Sequence, residues 1–461
     1  MEKIDRKELI LRGNIYKAIA IISIPLMINN FIHTLYNLAD GFFVARGVGP
    51  VEFAATSFVS PVIMFFNALG RGIAVAGTAI LSQLVGASKY EEANKYTSQL
   101  LVISLLFSIC FTIIGYWLSP IIIGWMGAGE DLAYYSNLYL RICFLGFPFI
   151  FVFFVFNSIL TSQGYTMVST TLSAISALAN IVLDPIFIYI FKWGLRGAAI
   201  ATVLSQFILV IGGIYVVRKY STRIRPSFKK FHFDLTKIKR IGRVALPSSV
   251  GQTGSSLGFM VLNSFIAHYG TATLAGFGMG NRITNLVMQP PMGIGMGLTT
   301  IVGQNIGADQ VDRAEKAFKK AMKISLFFGL FGTLVLFFLN GPLVRGFLGS
   351  NYDVETAQES MSYLRYIAFA MPFMGFFSIF HGLFQGSGHT KYSMAMGIGR
   401  LWAIRLPLIY FFKNFTRLGS TGIWISMTLS NFLICVYGYM IYRSGKWKER
   451  IIASNVKEKT I

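Results

Sequence analysis

The chain has 461 residues, of which 54% are hydrophobic and only 13% charged, with 42 phenylalanines. A soluble globular domain carries about 25% charged residues, so this composition excludes an ordinary soluble enzyme and points to an all-α polytopic membrane protein. The net charge of +22 raises nucleic-acid binding, but the basic residues gather in alternate loops, as in a membrane protein, and no nucleic-acid partner is expected.

The N-terminal stretch MEKIDRKELILRGN is polar, with no apolar core before Ile15, so no cleavable leader is expected. Apolar runs long enough to cross a bilayer, about 20 residues each, then recur to the end. They predict twelve transmembrane helices at 15–45, 53–83, 94–117, 132–160, 166–190, 195–218, 240–268, 273–305, 316–339, 357–385, 391–412 and 418–442. Twenty-nine Lys and Arg residues fall in the tails and loops on one side of this layout, and six in the loops on the other. The positive-inside rule therefore predicts cytoplasmic termini. The three cysteines, Cys110, Cys143 and Cys435, lie in apolar segments and read as small core residues.

The basic stretch between the sixth and seventh spans divides the chain. It gives an N-terminal six-helix lobe (1–217), a basic cytoplasmic linker (218–239), a C-terminal six-helix lobe (240–443) and a cytoplasmic tail (444–461). The lobes repeat. In GRGIAVAGTAILSQLVGAS from Gly70 and PMGIGMGLTTIVGQNIGAD from Pro291, the residues Gly72, Thr78, Gln83 and Gly86 match Gly293, Thr299, Gln304 and Gly307. In a second block, Arg141, Pro148, Phe156 and Gly164 match Arg365, Pro372, Phe380 and Gly388. Six spans per lobe is an even number, so both lobes insert the same way up, as a parallel repeat.

Only two acids lie clearly within spans, Asp40 in the first and Asp184 in the fifth. From Ala18 to Ala45, Asp40 is the one formally charged residue. A carboxylate at membrane depth is costly and usually faces a cavity with a task. Asn180 stands one turn before Asp184 on the same face, and Tyr139 and Thr202 fall at similar depth. Asn37 and Tyr36 share the face of Asp40. Such an oxygen-rich group could hold a proton. It could equally ligate Na+ through Asp40, Asn180, Asp184 and Thr202. Met279, Met288, Met292 and Met296 cluster and suit either core packing or an adaptable surface for varied ligands. With Tyr36, the first three are the candidates for a substrate cavity. The histidines form no metal constellation, and no phosphate loop is present. No cofactor is expected beyond a coupling ion, H+ or Na+.

Twelve spans in two six-span lobes, Gln-x-x-Gly-Ala ending the second and eighth, and acids in the first and fifth together resemble the multidrug and toxic compound extrusion (MATE) family. Asp40 with the Asn180-x-x-x-Asp184 pair is similar to its DinF-like branch. The resemblance implies a V-shaped, plasma-membrane antiporter, prokaryotic in source. It implies export of small organic, often cationic, drugs or metabolites in exchange for H+ or Na+. It places Tyr139, Thr202 and Asn37 in the ion network of the N-terminal lobe. The NorM-like branch carries acids in the C-terminal lobe, and this chain has none in its seventh span. Two other readings stand beside this one. A lipid-linked oligosaccharide flippase of the same superfamily is kept open by Arg282, Arg400 and Arg405. An intramembrane enzyme using Asp40 and Asp184 leaves the repeat unexplained, so no enzymatic activity is expected. Lipid is the expected surrounding partner. A monomer is expected, since the cleft between lobes belongs to one chain.

Overall fold

The structure, a computed structural model, describes residues 5–221, 223–228, 231–348 and 353–452, apart from the side chains of Asn37 and Leu38. Its regular elements are helical. The first half comprises α1 (Arg6–Leu11), α2 (Ile15–Gly47), α3 (Pro50–Gly86), α4 (Tyr90–Trp125), α5 (Glu130–Leu145), α6 (Phe147–Ser162), α7 (Thr166–Pro185) and α8 (Gly194–Tyr220). The second comprises α9 (Leu235–Ala267), α10 (Thr271–Val287), α11 (Gln289–Gly307), α12 (Val311–Phe338), α13 (Asn340–Leu348), α14 (Val354–Ala368), α15 (Met371–Gly386), α16 (Thr390–Ile398), α17 (Leu406–Phe415) and α18 (Thr421–Arg443). Two π-helical segments interrupt this series, Ile186–Ile190 after α7 and Gly399–Arg405 between α16 and α17.

All twelve predicted spans are helical, and three of them are broken. The segment 132–160 is the pair α5 and α6, bent by 43°, and 357–385 is α14 and α15, bent by 59°. Pro148 and Pro372 stand at the start of the second helix of each pair. A proline there donates no hydrogen bond to the turn before it and starts a new helix at little cost. The segment 273–305 is α10 and α11, separated at Met288 just before Pro290 and Pro291. Ten of the twelve segments are long and apolar enough to cross a membrane if each bent pair counts once. The other two are α9, rich in Ser and Gly, and the α10–α11 pair.

The chain forms two compact units, and their limits differ from the lobes expected from the linker. One contains residues 1–27 with 250–461, the other residues 28–249. The chain changes unit inside α2 and α9, shortly after Pro25 and Pro247. The reason is burial. Ile15, Ile19 and Ile22 of α2 join a core with Ile294, Leu298, Ile301 and Phe380. There Gly297 leaves room for Ser23, and Gly293 for Met27. In the other unit, Ile241 and Val244 of α9 are buried. Ser249 Oγ donates to the Leu69 carbonyl (2.9 Å), and Arg240 donates to the Tyr96 hydroxyl (3.3 Å).

Within the unit of residues 28–249, the core is aromatic, with Phe66, Phe144, Phe147 and Phe151 packed in edge-to-face, tilted and stacked pairs. The helices α7 and α8 approach through small residues. Ala177, Ala198, Ala199 and Ala201 are buried, and Ser176 Oγ donates to the Ser205 carbonyl at 2.8 Å. This close pairing positions the polar residues described next.

Candidate functional site: a carboxyl pair in the unit of residues 28–249

Asp184 is the penultimate residue of α7, just before Pro185. Proline lacks an N–H, so the regular ladder cannot continue through it, and the wider π-helical turn Ile186–Ile190 follows. That turn grips the end of α2. Tyr189 donates its hydroxyl hydrogen to the Phe43 carbonyl at 3.0 Å. A Cβ at Gly47 would collide with Ile188, so only glycine lets the two segments meet this closely. These contacts hold α2 where Asp40, one turn before Val44, faces Asp184.

The carboxyl groups of Asp40 and Asp184 interact directly. Two carboxyl groups this close can hold one proton between them, because like charges disfavour ionising both. Asp184 and Asn180 are fully buried, while Asp40 is partly exposed. With its amide oriented to satisfy both neighbours, Asn180 donates to Asp184 Oδ2 (2.9 Å) and accepts from the Thr202 backbone N–H (3.2 Å). The Thr202 hydroxyl donates to the Ala198 carbonyl at 3.2 Å and hydrogen-bonds the Tyr36 hydroxyl. Tyr139 is buried, hydrogen-bonds Cys143 one turn along α5, and lies within electrostatic reach of Asp40 and Tyr36. One oxygen of each acid, Asp40 Oδ1 and Asp184 Oδ1, is buried with no hydrogen-bond partner among the described residues.

The structure thus brings together Asp40, Asp184, Asn180, Thr202, Tyr36 and Tyr139. The side chain of Asn37 lies outside the described residues. The methionines are not gathered. Met288 is buried in the core around Leu262 and Leu336, Met279 packs against that core, and Met292 is exposed. All three belong to the other compact unit from Tyr36. Sequence reasoning missed Cys143, whose four-residue spacing from Tyr139 was the available signal, and the Tyr189 latch, which has none. His33 neighbours Arg71. No cluster of three or more His, Cys, Asp or Glu side chains suited to a metal ion occurs among the described residues. A proton or a singly charged cation held by mixed oxygens remains chemically open to the site.

A repeated six-span unit, an apolar helical surface and a buried group of oxygen-bearing side chains around Asp40 and Asp184 fit a multi-pass membrane transporter. The MatE family model matches residues 25–186 and 247–411, and the chain belongs to this family of multidrug efflux transporters. It is 24% identical over 443 residues to the probable multidrug resistance protein YpnP of Bacillus subtilis, covering 95% of this chain and 97% of that one. It is 23% identical to the FAD transporter of Shewanella oneidensis, covering 91% and 92%. The solved structure of a MOP superfamily transporter from Pyrococcus furiosus superimposes with a TM-score of 0.90 at 29% identity, covering 97% of this chain and all of that one.

Proposed function

We propose that the protein is a secondary antiporter of the plasma membrane, both termini cytoplasmic, that exports small organic, often cationic, solutes in exchange for H+. The carrying observation is the interacting carboxyl pair of Asp40 and Asp184, with Asn180 hydrogen-bonded to the second. With the pair fully ionised, its charge attracts a cationic solute. Proton uptake removes that charge. One unit charge at about 4 Å is worth about 4 kcal/mol at an effective dielectric of about 20. That suffices to change affinity by about a thousandfold. Asn180 and Thr202 orient Asp184, and Tyr36 and Tyr139 line the approach to Asp40. The partly exposed acid is the port for ion exchange, and the buried one the store. The similarity to YpnP supports the substrate class, and the basic-residue bias supports the orientation. A monomer suffices, because the carboxyl pair lies within one compact unit.

Na+ is the second reading, supported by the oxygens of Asp40, Asn180, Asp184 and Thr202. Both are tested by efflux of a fluorescent cationic dye from proteoliposomes with H+ and Na+ gradients imposed separately. Export driven by the H+ gradient and lost in Asp40→Asn supports the proton reading. Export driven by Na+ alone replaces the ion. Unchanged coupling in Asp40→Asn removes the carboxyl pair from the mechanism.

A further inference from the structure

The unit of residues 1–27 and 250–461 has the opposite chemistry. The π-helical segment Gly399–Arg405 places two arginines within one stretch of seven residues. Arg405 is 2% exposed, and its Nε donates to Ser430 Oγ at 2.9 Å. Arg400 is partly exposed, donates from Nη1 to Asn431 Oδ1 (3.1 Å), and lies 4.1 Å from the centre of the Phe377 ring. Asn431 is buried and fixed in turn, its amide donating to the Met427 carbonyl at 2.8 Å.

Neither arginine has an acidic partner among the described residues. Glu315 is held by Lys319, Lys448 and Tyr442, Asp309 pairs with Arg450, and Glu359 accepts from Ser420. A buried cation without a counter-charge is expensive. Such a pair therefore favours an anion brought from outside. Two unused donors mark where it would sit. Arg400 Nε is buried with no acceptor, and so is His381 Nε2. His381 stacks on the same Phe377 ring, 4.4 Å between centres. Its Nδ1 meets Ser393 Oγ at 2.8 Å, and that oxygen already accepts from Gln385 Nε2 at 3.4 Å. With the Ser393 hydroxyl donating to Nδ1, the neutral ring carries its hydrogen on Nε2 and can donate from it.

We propose that Arg400, with Asn431 behind it and His381 and Phe377 beside it, forms an oxyanion site for a phosphate monoester group. A phosphate monoester carries a charge of about −1.5 to −2 at neutral pH, matching two arginines better than a single carboxylate does. Its three oxygens can accept from Arg400 and His381 together. Phe377 holds the Arg400 guanidinium and the His381 ring against its own ring. Arg405 contributes field from beneath without touching the ligand. The same chemistry fits a soluble phosphate ester or a lipid headgroup. The proposal does not rest on the antiport reading, since binding is measured at equilibrium without any ion gradient.

The test is calorimetric titration of phenyl phosphate into the full chain in nanodiscs of phosphatidylcholine alone or mixed with phosphatidic acid, whose headgroup is itself a phosphate monoester, with phenol as the uncharged control. Phenyl phosphate binds in phosphatidylcholine, and phenol does not. Arg400→Gln weakens binding by at least about tenfold. Arg400→Lys, which keeps the charge but loses the fork and the Nε hydrogen, falls between them. Should Arg400→Gln not fold, the Lys variant still reads the site. Equal binding in the phosphatidic acid nanodiscs identifies a soluble ester as the occupant, and loss of binding there identifies a phosphate monoester lipid headgroup. No binding by the wild-type chain in phosphatidylcholine, or wild-type affinity in the arginine variants, overturns the proposal.

Discussion

Aligned on Pro185 and Pro407, the fifth and eleventh spans fall one residue out of step by Tyr189 and Tyr410 and by Lys192 and Lys413. On the proline alignment Asp184 stands opposite Leu406, and Arg405 opposite Leu183. A π-helical segment follows the proline in one unit and precedes it in the other. One unit thus brings two carboxyl groups together, and the other holds two arginines with no acidic partner among the described residues. The repeat preserves where helices break and how they pack. It leaves charge free to diverge, because a polar side chain in a cavity is constrained by its immediate neighbours alone.

The largest expected effect breaks the comparison on its acidic side. Asp184→Asn keeps the shape of the side chain but removes one carboxyl group of the pair, and should cut gradient-driven dye export by at least tenfold, about 1.4 kcal/mol. Efflux rates beside wild type check it, and an undiminished rate would show that the buried acid is structural.

Packing is the next point of difference. In one unit, a Cβ at Gly382 would strike the Gly295 carbonyl, so α11 and α15 touch backbone to backbone. At Gly77 in the other unit, the nearest atom is Ser158 Oγ at 2.5 Å, the end of a side chain that can rotate. Gly382→Ala should therefore cost about 3 kcal/mol and Gly77→Ala about 1 kcal/mol. Thermal unfolding in detergent ranks them, and the reverse order would contradict the close helix crossing.

A third pair of variants sharpens the basic side. Ser430→Ala strips Arg405 of its acceptor and should destabilise by about 2 kcal/mol. Arg405→Met removes the charge together with the need for an acceptor and should be neutral or stabilising. If both lower the unfolding temperature equally, Arg405 has a further partner.

The smallest effect lies outside both sites. Asp234 caps α9, accepting from the backbone N–H of Thr236 (3.0 Å) and Lys237 (3.1 Å). Asp234→Ala should cost about 1 kcal/mol. The hydrogen bond from the Lys237 ammonium, helped by those N–H groups, holds the Asp234 carboxyl below the usual range. A carboxyl with a lowered folded value stabilises the fold above its unfolded value, about 3.9. That contribution is lost as pH falls through the folded value. The stability difference between wild type and Asp234→Ala should be constant near neutral pH and shrink below about pH 4.

Much of this was legible in the sequence. Long apolar runs announce spans whatever their neighbours do, and the matched blocks around Gln83 and Gln304 announce the repeat. Asp40 and Asp184 stood out because a charge in an apolar run has few structural uses. The bends at Pro148 and Pro372 were hidden, because hydropathy continues across them. Equally hidden were the Tyr189 latch and the Asn180 amide bridging Asp184 to Thr202. These depend on which helix faces join, and an even apolar coating does not encode that. The limits of the compact units escaped for a similar reason. The polar linker marks where the chain leaves the membrane, whereas the units divide where burial changes partner.

That division gives the chain an unusual connectivity. A cut anywhere in residues 221–234 would yield two fragments, neither of which holds a complete unit. The first lacks the 235–249 segment that packs under α3, and the second lacks the first 27 residues. The halves are thus laced together like a fragment-complementation pair. Each would need the other present to mature, and a gene encoding one half alone would make an unfinished protein.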